Sequence, residues 1–142
     1  MLLKELFEEK APISDDVKEK YKRWRELVNM PSDTLKKFLG TETGQEAGLR
    51  KKEAEKLGIG TGRESARAIL RMREKPLSEW DKTDISWMGR QLSFIARMSG
   101  NSGPMVKKDK DGKDVPTRKL TSLWVWGHVP KGYPPGKFGV FK

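Results

Sequence analysis

Apolar residues recur every three or four positions along most of the chain, which is the spacing of amphipathic α-helices. Hydroxyl side chains that can accept hydrogen bonds from free backbone amides mark the helix starts, at Ser14, Ser32, Thr61, Ser78 and Thr117. Glycine or proline marks the ends. The pattern predicts helices over about 14–28, 32–39, 62–75, 78–98 and 117–126, with a charged helical segment over 50–57.

Leu2, Leu3, Leu6 and Phe7 also give residues 1–13 helical spacing, whereas residues 99–116 and 129–142 lack this periodicity. Residues 99–116 predict a loop or small hairpin that turns at Asp111-Gly112. We therefore expect a mainly α protein, a compact bundle of about five or six short helices with one loop or small hairpin near 100–116 and an extended C-terminal tail. The predicted units are an amphipathic N-terminal arm, a single helical domain and a Pro/Gly-rich tail, over residues 1–13, 14–128 and 129–142.

The composition indicates a lean core. Only 35% of the 142 residues are hydrophobic, and another 35% are charged. Five tryptophans can supply much of the missing core area, because each large aromatic ring buries roughly 150–250 Å². One tryptophan at the surface would instead favour single-stranded nucleic acid through stacking. The sequence leaves these two roles open.

The net charge of +10 is concentrated in the second part of the chain. Residues 1–60 carry 13 basic and 12 acidic side chains, whereas residues 61–142 carry 17 basic and 8 acidic ones. A uniformly charged surface would not be divided in this way. The division predicts a binding face for an acidic partner, namely the phosphate backbone of DNA or RNA.

Arg63, Arg67 and Arg71 are spaced so that their side chains share one face of the helix 62–75. The guanidinium group donates two parallel hydrogen bonds, which suits phosphate. The alternative is an ordinary solvated helix face. Residues 51–57, the glycine-containing turn and this helix also resemble a helix-turn-helix, whose second helix would present the arginines to DNA.

A second basic group follows on the next helix and beyond it. Arg90 and Arg97 are seven residues apart and share a helical face. The further candidates for phosphate contacts are Lys107, Lys108, Arg118 and Lys119. A lysine-rich loop beside the helix start at Thr117 can receive phosphate through its charge and the free amides. The alternative is a loop whose charges are only solvated.

The chemistry of an enzyme is poorly represented. There is no cysteine, which excludes disulfides and thiolate sites. His128 is the single histidine, so neither a histidine metal cluster nor a Ser/His/Asp triad with a spare histidine can be built. Scattered carboxylates such as Glu53, Glu64, Asp81 and Asp84 more typically form ion pairs in a basic protein. We expect no catalysis, metal or cofactor. No membrane partner is expected either, because no apolar stretch approaches the roughly 18 residues of a membrane span.

Four blocks of the sequence resemble a family of small uncharacterised proteins of tailed phages and, more distantly, bacterial proteins labelled as DNA-binding. The blocks are NMPSDTLKKFLGTETG (29–44), GRESARAILRM (62–72), RQLSFIARMSGNSGPM (90–105) and PTRKLTSLWVWGH (116–128). The resemblance covers about residues 29–130. It implies a viral origin, a location in the host cytoplasm or the virion, and DNA binding.

Three functions are compatible with these patterns. The leading hypothesis is a non-catalytic nucleic-acid-binding protein that contacts the phosphate backbone. The second is a virion or assembly protein whose arm and tail contact neighbouring subunits, because both ends carry aromatics expected to be exposed: Phe7, Tyr133, Phe138 and Phe141. The third is an inhibitor that binds a host nucleic-acid enzyme.

Overall fold

The computed structural model describes residues 13–47, 61–100 and 103–141. These residues contain six α-helices: α1 (Asp15–Leu27), α2 (Ser32–Leu39), α3 (Glu42–Glu46), α4 (Gly62–Arg73), α5 (Lys82–Gly100) and α6 (Arg118–Val125). Two short 3-10 helices, Leu77–Glu79 and Pro135–Phe138, and the antiparallel strands β1 (Val106–Lys108) and β2 (Asp114–Pro116) complete the described elements. The predicted mainly α fold with a small hairpin is therefore confirmed.

Three helices begin at the predicted hydroxyl caps. The side chains of Ser14, Thr61 and Thr117 each accept a hydrogen bond from the backbone amide three residues later, at 3.1, 3.1 and 3.3 Å. These amides have no partner within their own helix, so the caps stabilise the helix starts. The start of α2 differs from the prediction, because Pro31 is the cap and Ser32 is the first helical residue.

The start of α5 also differs from the predicted hydroxyl cap at Ser78, because Ser78 lies in the preceding 3-10 helix. The amide of Asp84 donates to Oδ1 of Asp81 at 2.8 Å, and the amide of Asp81 donates to Oδ2 of Asp84 at 3.1 Å. Two carboxylates thus satisfy two amides reciprocally, in the manner of a capping box. Helix α5 therefore begins at Lys82, four residues later than predicted, and Trp80 precedes it with its side chain in the core.

Helix α3 was not predicted. The Thr41 hydroxyl accepts from the Gly44 amide at 3.0 Å and donates to the Phe38 carbonyl at 2.6 Å. A Cβ at residue 44 would lie 1.8 Å from the Phe38 carbonyl oxygen, so this glycine is required by close packing rather than by flexibility. The predicted helical segment 50–57, and with it the helix-turn-helix, lies outside the described residues. So does the arm 1–13, apart from the exposed Ile13.

The core is built largely from aromatic rings. All five tryptophans are buried, with exposed fractions between 0 and 9%: Trp24, Trp80, Trp87, Trp124 and Trp126. Helix α4 packs against α2, α5 and α6, and α1 packs along α5. The tryptophans therefore belong to the core, and none of them presents an open ring face as a stacking surface.

Gly127 terminates helix α6, as predicted, and lies two residues beyond the last helical residue, Val125. Gly127 has a φ of +84°, a conformation that glycine adopts without steric cost. Its amide donates to the Trp124 carbonyl, and the amide of His128 donates to the Leu123 carbonyl, both at 2.9 Å. This pair of bonds is the Schellman motif, which satisfies carbonyls left free at the helix end.

The C-terminal tail lies on the surface of the body instead of reaching away from it. The indole nitrogen of Trp124 donates to the Tyr133 carbonyl at 2.8 Å, and the Phe138 ring lies 5.8 Å from the Trp124 ring. Tyr133, Phe138 and Phe141 are partly buried against the core, so the expectation that these aromatics are exposed was wrong. The reason is that α6 carries apolar side chains that the tail shields from water.

Candidate nucleic-acid interface

The arginines of α4 lie along its outer side. The inner side is buried and consists of Ser65, Ala66, Ala68, Ile69 and Met72. Arg67 and Arg71 are exposed and Arg63 is half-buried. The helical spacing predicted from the sequence thus places the three guanidinium groups on one ridge, away from the core.

Two of these three arginines have partners from other helices. Nη1 of Arg63 donates to the Leu39 carbonyl at 3.2 Å, and Nη2 of Arg71 lies 3.3 Å from Oδ1 of Asp84. The side chain of Arg67 makes no hydrogen bond or ion pair with any residue that the structure describes. Sequence reasoning considered only partners within the same helix, and it therefore missed both contacts.

Asp84 is the centre of an ionic cluster between α4 and α5. Its side chain is 1% exposed, and its oxygens receive Lys75 Nζ at 2.6 Å as well as Arg71 at 3.3 Å. Burial alone would raise the pKa of the Asp84 carboxyl. The hydrogen bond from Lys75, the Asp81 amide, the Lys75 charge and Arg71 outweigh burial and hold that pKa below its ordinary value. Asp84 is thus an ion-pair residue.

A cleft on the outer side of α5 brings Arg90 and Arg97 together. Its volume is about 330 Å³. Among the described residues it is lined by Ile85, Ser86, Gly89, Arg90, Ser93, Phe94, Arg97 and Trp126. This lining, which we call the α5 cleft, contains two cations and no acidic side chain.

Aromatic rings fix the geometry of the α5 cleft. Phe94 and Trp126 are stacked with their ring centroids 4.3 Å apart and an interplanar angle of 13°. The guanidinium carbon of Arg90 lies 4.5 Å from the centre of the Trp87 ring, and Nη2 of Arg90 donates to the Ser86 hydroxyl at 3.1 Å. A cation over an indole is attracted by the ring electrons. Arg90 is therefore held in place, whereas Arg97 is exposed.

The hairpin and the start of α6 carry the other predicted residues. Lys107 and Lys108 are exposed on β1, and Lys108 pairs with Asp114 of β2 at 2.6 Å. Nζ of Lys119 donates to the Gly103 carbonyl at 2.9 Å, and Arg118 is exposed in the first turn of α6. Internal contacts thus already engage part of this basic group.

Sequence reasoning missed a second basic cleft, between α1 and the end of α4. Its volume is about 420 Å³, and it is lined by Tyr21, Trp24, Arg25, Val28, Met72, Arg73 and Lys75. Arg73 donates to the Val28 carbonyl at 2.8 Å and to the Ser32 hydroxyl at 3.1 Å, and burial lowers the pKa of its guanidinium. Arg73 thus fastens α1 and α2 to α4. No spacing in the sequence indicated this role.

The predicted residues do not form one continuous row. Gln91 and Asp84 of α5 face α4, since Gln91 Nε2 donates to the Ser65 carbonyl at 3.3 Å and Asp84 binds Arg71. Arg90 and Arg97 lie on a different side of α5. The arginines of α4 and the α5 cleft are consequently separate basic patches.

Three further observations on the described residues concern metal binding, membrane spans and an unsatisfied polar group. They contain no group of three or more His, Cys, Asp or Glu side chains that could hold a metal ion. None of their helices is both long and apolar enough to cross a membrane. The oxygen of the Ser65 side chain is buried and has no hydrogen-bond partner among them.

Fold and charge together define a small, strongly basic, mainly α-helical protein with one β-hairpin. The chain belongs to the family described as "Protein of unknown function (DUF3140)", whose model matches residues 23–121. This span contains all nine predicted contact residues. Comparisons with curated proteins and with solved structures found no match. The resemblance to phage proteins and the DNA-binding label stay predictions.

Proposed function

We propose that this protein binds nucleic acid through the phosphate backbone and has no catalytic role. The observation that carries the proposal is the pairing of Arg90 and Arg97 at one cleft whose described lining contains no acidic side chain. A cleft whose charged side chains, among the described residues, are both cations favours an anionic ligand. Residues 61–142, which include this cleft, also hold nearly all the excess positive charge.

The internal contacts of the candidate arginines and lysines decide how readily each side chain can bind phosphate. Arg67, Arg97 and Lys107 are exposed and have no side-chain partner among the described residues, so they can meet phosphate without breaking a contact. Arg63 is engaged with a carbonyl, and Arg71 with Asp84. We therefore expect Arg67 and Arg97 to contribute more to binding than Arg63 and Arg71.

The test is fluorescence-anisotropy binding of a labelled duplex and a labelled single strand across a salt series. For duplex, the slope of log affinity against log salt is about −0.9 per neutralised phosphate. Arg67→Ala combined with Arg97→Ala should therefore flatten the duplex slope by about 1.8. Arg23→Ala, at an exposed position of α1, is the matched control and should leave the slope unchanged. Absence of binding at low salt, or affinity that ignores salt, would contradict the proposal.

The two other predicted functions remain open to a direct experiment. A pull-down from host lysate after nuclease treatment separates an inhibitor of a host enzyme from a nucleic-acid binder, because only a protein target survives the treatment. The assembly hypothesis loses one of its motives, since the tail aromatics are packed against the body.

A further inference from the structure

We propose that the α5 cleft holds one unpaired base of a nucleic-acid strand, so that the protein prefers single-stranded to duplex nucleic acid. The inference rests on the proposed function and names the form of nucleic acid that the site takes. It comes from the size and lining of the cleft and from the open space beside Gly89.

The size of the cleft restricts its occupant. A volume of about 330 Å³ is at the lower end of the range of small-molecule pockets. An α-helix with its side chains is about 10–12 Å across, too wide to enter such a space. The bases of a duplex are stacked and paired and cannot enter it either. A single planar base, extruded from a flexible strand, is of the right dimensions.

The lining combines the two kinds of contact that an unpaired nucleotide requires. Ile85, Phe94 and Trp126 provide apolar contact for the base, although the Phe94 and Trp126 rings are largely covered by each other. The guanidinium carbon of Arg90 lies over the Trp87 ring, 4.5 Å from its centre, and Arg90 also lines the cleft, so a base in the cleft can stack on this cation. Unpaired bases stack on guanidinium planes as well as on aromatic rings.

Polar groups surround this apolar floor. The Ser93 hydroxyl lines the cleft and can hydrogen-bond with a base edge. Arg97 lies two helical turns from Arg90, about 10.5 Å along the axis, and is exposed, so its long side chain can reach a phosphate beside the bound base. Stacking and phosphate contact from the same cleft are the usual elements of single-strand binding.

Gly89 provides an independent observation. It lies in the interior of α5, where glycine is less favourable than alanine. A Cβ at this position would meet no atom within 4 Å, so packing does not require glycine there. The space that a side chain would occupy belongs to the cleft. The glycine keeps the cleft open.

The test fills the cleft from Gly89 and measures both forms of nucleic acid. Gly89→Leu should lower affinity for a labelled oligothymidylate by about tenfold, the effect expected for loss of one stacked base. The affinity of the Gly89→Leu variant for a duplex should change less than about twofold, since the arginines that contact phosphate remain. Ser99→Leu adds the same side chain at an exposed site of the same helix and is the matched control. Circular dichroism and the melting temperature verify the fold of each variant.

The outcomes separate the two proposals. If wild-type protein binds neither form of nucleic acid, the proposed function fails. If salt-dependent binding is present but Gly89→Leu and wild type bind the oligothymidylate equally, only the cleft inference is overturned. NMR of the wild-type protein gives a reading that needs no variant: the indole N–H resonances of Trp87 and Trp126 should shift on addition of the oligothymidylate. Unshifted resonances at saturation would also overturn the inference.

Discussion

At the scale of single residues, Asp84 gives the clearest link between a contact and stability. Its carboxylate, at the start of α5, pairs with Arg71 of α4 and with Lys75 just beyond the end of α4. We expect Asp84→Asn to lower the free energy of unfolding at pH 7 by about 2 kcal/mol, because two cations lose a nearly buried partner. The Arg71 contribution is reduced by water, since that side chain is half exposed. Urea unfolding measures the loss.

The same residue predicts a pH dependence. The folded-state pKa of Asp84 is depressed, so its contribution is present above the unfolded-state pKa of about 3.9 and is lost as the pH falls through the lower folded-state value. The stability difference between wild type and Asp84→Asn should therefore shrink when urea unfolding is repeated near about pH 3. Asp33→Asn, at an exposed position of α2, serves as control. A difference independent of pH would contradict the ionic explanation.

Ser65 is the opposite case, a polar group whose burial has no compensation. Its hydroxyl lacks a hydrogen-bond partner among the described residues and its side chain is inaccessible. An unsatisfied buried polar group costs about 1–3 kcal/mol. We expect Ser65→Ala to raise the melting temperature, and to leave the bond between Gln91 and the Ser65 backbone carbonyl intact. A lower melting temperature would show that the hydroxyl is satisfied.

At the scale of elements, substitutions at two glycines distinguish the cost of backbone strain from the cost of overpacking. Gly127 and Gly112 both have positive φ, +84° and +79°. A Cβ at Gly127 would lie 2.8 Å from both Ile69 Cδ1 and Val28 Cγ1, whereas one at Gly112 would meet nothing within 4 Å. Gly112→Ala should cost about 1–2 kcal/mol of stability through strain alone. Gly127→Ala should cost about 1–3 kcal/mol more through overpacking. Equal losses in thermal or urea unfolding would refute this division.

Elements governed by neighbouring residues were predictable from the sequence. A hydroxyl cap such as Thr61 or Thr117 acts on an amide three residues away, and the end of α6 at Gly127 depends on one backbone conformation. Helix α3 was missed although Thr41 caps it in the same way, because it is only five residues long and depends on the close approach of Gly44 to the Phe38 carbonyl.

The candidate site was predictable only in part, for the same reason. Helical spacing placed Arg90 and Arg97 on one face, and the structure adds the cleft between them. Helical spacing could not show that Arg71 is paired, because Asp84 belongs to the next helix and comes near only when α5 packs on α4. Arg73 was overlooked, since its partners, Val28 at the end of α1 and Ser32 of α2, are 45 and 41 residues away in sequence. Tertiary contacts determine which cations remain available.

At the scale of the whole molecule, a truncation can distinguish two roles of the C-terminal tail, a segment docked on the body or an arm for assembly. Removing residues 133–142 would break the bond between Trp124 and the Tyr133 carbonyl and uncover the Trp124 ring. We expect this truncation to lower the free energy of unfolding by about 3 kcal/mol or more, because apolar area is exposed and a bond lost. Phe138→Ala should reproduce part of the loss, with the exposed neighbour Lys137→Ala as control.

If the truncated protein keeps full stability but loses self-association in ultracentrifugation, the tail is an assembly arm. If stability falls while nucleic-acid affinity of the folded fraction persists, the tail belongs to the body and the basic patches act without it.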